Sequence, residues 1–274
     1  MKTCSALPHS LCFCFRRILF VALVGWLAAC GGAAQKRSLN VFAAASLTES
    51  FNAMEAPFER AHPEIDVQFN FAGSNQLRTQ IEQGAPAGVF ASASAKDMQG
   101  LVAGQQVDAA QVQPFARNRL IVIFPKDNPG KVQSLADLAR PGLTLIVADA
   151  NVPVGGYTFA MLDAMSANPT YGADFRVRVE RNIVSRELNV KQVAAKIRLG
   201  EGDVGVVYAS DVTPELAPLV GTLDVPDEFN QIALYPIAPI RNASNAADAA
   251  LFVDYVLGAD GQAALVKAGF IGKP

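Results

Sequence analysis

Val41-Phe42-Ala43-Ala44-Ala45-Ser46-Leu47-Thr48 passes from an apolar run through a corner of small residues into a helical period. Leu39 to Ala44 reads as a buried strand and Ser46 as the N-cap of the helix that follows. Leu47, Phe51, Met54 and Phe58 form that helix's apolar stripe, and Pro57 inside it predicts a kink or split. Strand, tight corner and helix, repeated along a chain, build an α/β protein with largely parallel sheets.

The same grammar recurs outward from this stretch. Ile65 to Phe71 reads as a second strand with Val67, Phe69 and Phe71 on one face. It ends in Phe71-Ala72-Gly73-Ser74-Asn75, where a helix begins with Leu77 and Ile81 one turn apart. Two more corners are Asn151-Val152-Pro153-Val154-Gly155-Gly156-Tyr157 and Arg186-Glu187-Leu188-Asn189-Val190-Lys191. Further buried strands are expected at Val89 to Ala93, Leu120 to Phe124, Leu143 to Ala148, Val204 to Tyr208 and Ile232 to Ala238. Helices are expected at 95–103, 134–139, 156–167 and 189–199. Two more close the tail, one through Leu251, Val253 and Val256 and one from Asp260 to Ala268.

Each corner is a potential anion site, because the first turn of a helix leaves N–H groups unpaired and carries partial positive charge. Ser46 and Ser74 add hydroxyl donors at the first two. Singly, such a serine is far more often a plain cap, and Gly155-Gly156 a plain loop. Only the ordered set argues for a ligand.

The flanks say where the protein works. Arg16 and Arg17 precede a short apolar core, Ile18 to Trp26, which is brief for a bilayer span, so residues 1–29 read as a targeting segment. Leu27-Ala28-Ala29-Cys30, followed by Gly31-Gly32, resembles a bacterial lipobox, which implies a lipid on Cys30 as the first mature residue and anchoring to a membrane. Residues 30–38 then form a polar tether. Removing residues 1–29 takes away Lys2, Arg16 and Arg17 and no acid, so the net charge falls from −2 to −5, with 20 basic against 25 acidic side chains. That balance argues against nucleic acid as a partner. Cys4, Cys12 and Cys14 leave with the segment, so no disulfide framework or cysteine metal site remains. His62 is the one histidine left, too few parts for a Ser-His-Asp apparatus or a multi-histidine metal centre. The chain reads as a binder rather than an enzyme.

Together with Gln80-Ile81-Glu82-Gln83-Gly84-Ala85-Pro86-Ala87 and Gly205-Val206-Val207-Tyr208-Ala209-Ser210-Asp211, these corners resemble the periplasmic molybdate-binding components of ABC transporters, from Leu39 to Gly269. The resemblance implies the two-lobed type II periplasmic binding protein fold, α/β, with a mixed, largely parallel sheet in each lobe and the ligand cleft between them. Residues 39–116 plus 213–274 would form lobe 1 and residues 117–212 lobe 2. It also implies molybdate or tungstate as ligand, no cofactor, and delivery by a monomer to an ABC transporter permease in the inner membrane. Such proteins hold the oxyanion with two serine hydroxyls, backbone amides at two corners of the second lobe, and a tyrosine hydroxyl. By motif these roles fall on Ser46, Ser74, Val154, Val190 and Tyr208. Gly88 and Ser94 stand where relatives carry acids, which puts a structural or hinge role of those acids in question. Sulfate or a small organic acid stays open as an alternative ligand. Arg78, Arg117, Arg119 and Lys191 are candidates for longer-range attraction of an anion.

Overall fold

β1 (Arg37–Ala44) pairs in parallel with β2 (Ile65–Ala72) along one edge and with β3 (Val89–Ala91) along the other. A strand flanked on both edges and covered on both faces must be apolar almost throughout, and Leu39, Val41, Ala43 and Ala44 are buried. The computed structural model describes residues 36–273; residues 1–35, with the targeting segment, Cys30 and most of the tether, lie outside the described residues. The tether is shorter than expected, because Arg37 and Ser38 already pair with Ile65 and Asp66. Arg37 also forks onto the Asp248 carboxylate with bonds of 2.9 and 2.8 Å.

The first sheet is completed by β10 (Ala233–Pro239), antiparallel to β3, and by β4 (Gln113–Asn118), antiparallel to β10. Its order is β2-β1-β3-β10-β4. The second sheet contains β5 (Leu120–Pro125), β6 (Leu145–Ala148), β7 (Ile183–Glu187), β8 (Val204–Tyr208) and β9 (Val220–Asp224). It runs β7-β6-β8-β5-β9, with β6 parallel to both neighbours and β5 antiparallel to both of its own. One plan is thus used twice: three parallel strands, an antiparallel strand, and an edge.

The chain leaves the first sheet between Asn118 and Leu120 and returns between Asp224 and Ala233. The return expected at residue 213 is therefore corrected, since Val220–Asp224 pairs with Pro125–Ile121 as the edge of the second sheet. Asn230 ties the two crossings together, its Oδ1 accepting from Leu120 N–H and its Nδ2 donating to Leu120 C=O, both at 2.9 Å. Arg119 and Asp227 form an ion pair beside it.

The helices are α1 (Thr48–Ala61), α2 (Ser74–Glu82), α3 (Ala95–Ala103), α4 (Pro153–Ala167), α5 (Phe175–Glu180), α6 (Val190–Arg198), α7 (Ala246–Leu257) and α8 (Ala259–Lys267). α1 runs unbroken through Pro57, contrary to the split that the proline predicts. A helix-interior proline costs about 3 kcal/mol, and full burial of Phe51 and Phe58 on either side contributes roughly 2 to 3 kcal/mol each. Both rings pack edge-on against Phe252 of α7, with centroids at 5.8 and 5.2 Å. The helix expected at 134–139 is a 3-10 turn, Leu135–Ala139, closed by a Ser134–Asp137 capping box.

Candidate functional site

Ser46, Ser74, Val154, Val190 and Tyr208 line one cavity, together with Ala44, Ala45, Ala72, Gly73, Ala93, Val152, Pro153 and Asn189. It encloses about 210 Å³ including its mouth. No Asp, Glu, Lys, Arg or His is among its lining residues. All five expected positions are buried, none more than 3% exposed.

The structure builds each corner differently. Ser46 is not an N-cap: Ala45–Leu47 form a 3-10 turn ahead of α1, capped by Ala44 without a side-chain bond. Its hydroxyl instead meets the Tyr235 hydroxyl of β10 at 2.9 Å. Ser74 is the first residue of α2, behind Gly73 as cap, so its own N–H has no partner within the helix. Its Oγ accepts the Ala93 N–H at 3.0 Å, which leaves its proton to donate elsewhere.

At the third corner Pro153 opens α4, a position where the missing N–H costs nothing and the fixed φ suits the helix. Val154 and Gly155 follow with first-turn N–H groups. Gly155 is required by contact: a Cβ there would lie 2.0 Å from Asp149 O and 2.6 Å from Ala148 O. The helix start is thereby pressed onto the end of β6. At the fourth corner Val190 opens α6; the Asn189 side chain accepts Gln192 N–H, and the Gln192 side chain accepts Leu188 N–H. Val190, as first residue of α6, keeps an N–H with no partner within the helix, and the residue lines the cavity. Tyr208 ends β8 with a fully buried hydroxyl that makes no hydrogen bond. Burial, then the neighbouring Tyr235 and Tyr157, pushes it well above the ordinary tyrosine pKa of 10.0, so it stays a donor.

The cavity is closed over by contacts between the two sheets' corners. A Cβ on Gly73 would fall 2.6 Å from Leu188 O, so backbone meets backbone there. Lys191 of α6 reaches Glu49 of α1 at 2.7 Å and the buried Asp211 at 3.1 Å. Burial lowers the Lys191 pKa, but Asp211 and Glu49 outweigh it and leave the ammonium above its usual value. Lys191 thus links the lobes rather than lining the cavity. Arg78 pairs with Glu82 and Asp97, and Arg119 with Asp227; neither they nor Arg117 reaches the wall.

Gly88 and Ser94 also stand away from the cavity. Ser94 caps α3, its hydroxyl accepting Asp97 N–H, which preserves the capping role an acid would serve. A Cβ at Gly88 would lie 2.7 Å from Leu39 Cδ1, so the core has closed around the missing side chain. His62 caps the end of α1 and packs on Phe58 at 4.7 Å, among neither serine's partners. Sequence reasoning missed Tyr235 and Asn118, which stand behind Ser46; no local motif marks them.

Comparison with known proteins gives the same frame. The family model described as bacterial extracellular solute-binding protein matches residues 39–271. Molybdate-binding protein ModA of Mycobacterium tuberculosis is 36% identical over 90% of this chain and 94% of its own length. Its namesake in Escherichia coli is 30% identical over 86% and 90%. The solved periplasmic molybdate-binding protein of Azotobacter vinelandii, 20% identical, superposes with a TM-score of 0.74 over 86% of this chain and all of its own, and so shares the fold.

Proposed function

The chain belongs to the bacterial extracellular solute-binding proteins, and on that premise we propose that it captures molybdate, with tungstate as a near-equivalent, for delivery to an ABC transporter permease. The observation that carries this reading is the cavity itself: small, buried, and walled by hydroxyl and amide donors without a charged side chain. Molybdate at neutral pH is a proton-free dianion, so each of its contacts must come from a donor. An ion with a proton to place would favour an acceptor, usually a carboxylate.

Ser46, Ser74, Val154, Val190 and Tyr208 are the ligand residues in this reading. Charge-assisted hydrogen bonds contribute about 1.5 to 3 kcal/mol each, and several are needed to offset the cost of burying a dianion. Sheet-to-sheet closure gathers them, because two donors come from the first lobe and three from the second. Volume argues against organic ligands of ordinary size, which occupy roughly 300 to 1,000 Å³. Molybdate and tungstate have longer bonds than sulfate and nearly equal ones to each other, so cavity radius could reject sulfate but hardly separate the pair.

A thermal-shift series on the purified protein tests the reading. Molybdate and tungstate should raise Tm as their concentration passes Kd. If no tetrahedral oxyanion moves Tm, the assignment fails. Anchoring through Cys30 belongs to the same proposal: Cys30→Ser should shift the protein from the membrane to the soluble fraction, and retention on membranes would overturn that part.

A further inference from the structure

Ser46 is the one proposed ligand hydroxyl whose direction the cavity leaves ambiguous, because its contact with the Tyr235 hydroxyl at 2.9 Å could run either way. The residues behind Tyr235 favour one direction. Asn118 sits at the first crossing, fully buried, with its Oδ1 accepting the Arg119 N–H at 2.9 Å. That bond orients the amide, so its Nδ2 faces Ser210 Oγ at 2.7 Å and Tyr235 Oη at 3.5 Å. An amide nitrogen only donates. Tyr235 Oη receives from Asn118, which takes up one of its acceptor positions and favours its own proton going to Ser46 Oγ. Ser46 Oγ, once it accepts from Tyr235, keeps its proton for the cavity.

We infer that Asn118 and Tyr235 act as positioning residues that lock Ser46 as a donor, and that this lock discriminates against oxyanions carrying a proton. The inference rests on the oxyanion reading of the cavity. Ser74 is biased in the same sense by a shorter route, since its Oγ already accepts the Ala93 N–H at 3.0 Å and one lone pair is thereby used. Both hydroxyls of the first lobe thus present hydrogens. Hydrogen phosphate, the same charge and shape as sulfate but with one hydrogen to donate, meets fewer free acceptor positions on this side. A site with a free serine rotor would lack this bias, because the hydroxyl could turn and accept.

Tyr235→Phe breaks the relay while keeping the ring, which packs against Phe115, Tyr208 and Phe270. Calorimetric titration at pH 8 with molybdate and with hydrogen phosphate, on wild type, Tyr235→Phe, Ser46→Ala and the double variant, decides the matter. Tyr235→Phe should weaken molybdate about tenfold, the size of one oriented charged hydrogen bond. It should narrow the preference for molybdate over hydrogen phosphate, since the freed Ser46 can accept. In the Ser46→Ala background the same change should have no further effect. Equal losses for both ions, or a full effect without Ser46, would overturn the relay and assign Tyr235 a merely structural role. Should Tyr235→Phe fail to fold, Asn118→Leu tests the same chain from its other end, with the same narrowing expected and its absence contradictory. Wild-type protein that takes up neither ion would instead overturn the oxyanion reading itself, and the wild-type titration alone reports that.

Discussion

The two lobes share a strand plan and differ in what they place at the cavity. The first lobe contributes side-chain hydroxyls, Ser46 and Ser74, each with its Oγ in a hydrogen bond, with the Tyr235 hydroxyl and from the Ala93 N–H respectively. The second contributes two helix starts at Val154 and Val190, where the side chains are apolar and only backbone can donate, and adds the Tyr208 hydroxyl. A hydroxyl can be deleted by one substitution. A backbone amide survives every substitution except proline, and otherwise is displaced only by moving the helix that carries it. The comparison therefore separates two kinds of fragility within one site.

The largest effect should come from the backbone side. Gly155→Ala places a Cβ 2.0 Å from Asp149 O, so the start of α4 must shift and the Val154 amide with it. Loss of more than about 100-fold in molybdate affinity is expected, with destabilisation of about 1 to 3 kcal/mol from overpacking. Gly156→Ala is the control: its nearest foreign atom would be Ala150 O at 3.4 Å, and binding should be nearly unchanged. Equal behaviour of the two variants by calorimetry would refute the close-contact account.

Next come the hydroxyls of the first lobe. Ser74→Ala and Ser46→Ala should each weaken binding about 10- to 100-fold, corresponding to about 1.5 to 3 kcal/mol, and should also lower the Tm measured without oxyanion, because the Ala93 N–H or the Tyr235 hydroxyl loses its buried partner. Unchanged affinity in both would remove the first lobe from the site.

Tyr208→Phe sharpens the contrast within the second lobe. Its hydroxyl is buried without a partner in the protein, so deleting it should cost roughly tenfold in affinity yet leave Tm without oxyanion equal or higher. Its pKa lies well above 10.0, so the donor form persists through the alkaline range, and this group should leave wild-type affinity level from pH 7 to about pH 9. A decline in affinity centred in that window and abolished by Tyr208→Phe would contradict the donor role.

The smallest effect belongs to the link between lobes. Glu49→Gln removes the 2.7 Å contact with Lys191, and Glu49 is 42% exposed in its side chain, so solvent screens most of the attraction. A two- to fivefold faster release, corresponding to about 0.4 to 1 kcal/mol, is expected by stopped-flow and should fade at high salt. No change at low salt would show that closure does not depend on this pair.

Local pattern carried much of the architecture, because the strands at Leu39 to Ala44 and Val204 to Tyr208 are buried enough to read as continuous apolar runs. It found the edge strand β2 but missed the other three, β4, β7 and β9. Gln113–Asn118 and Val220–Asp224 border their sheets, and Pro114 and Gly221 are tolerated there because an edge strand pairs on one side only. The second of these moved the lobe boundary from residue 213 to beyond Asp224. Within the site, the corners were visible as strand-to-helix turns, but what backs each donor was not. Tyr235 lies 189 residues from Ser46, and nothing in either neighbourhood announces their contact. A serine before a helix looks like a cap from sequence alone, and at Ser46 the 3-10 turn gives the hydroxyl another use.

Calorimetric competition among molybdate, tungstate and sulfate on the purified protein tests the central claim most directly. The donor-only cavity predicts one molybdate per chain and tungstate within a similar range, and the shorter bonds of sulfate predict weaker sulfate. Sulfate bound as tightly as molybdate, or no heat with any of the three, would contradict it.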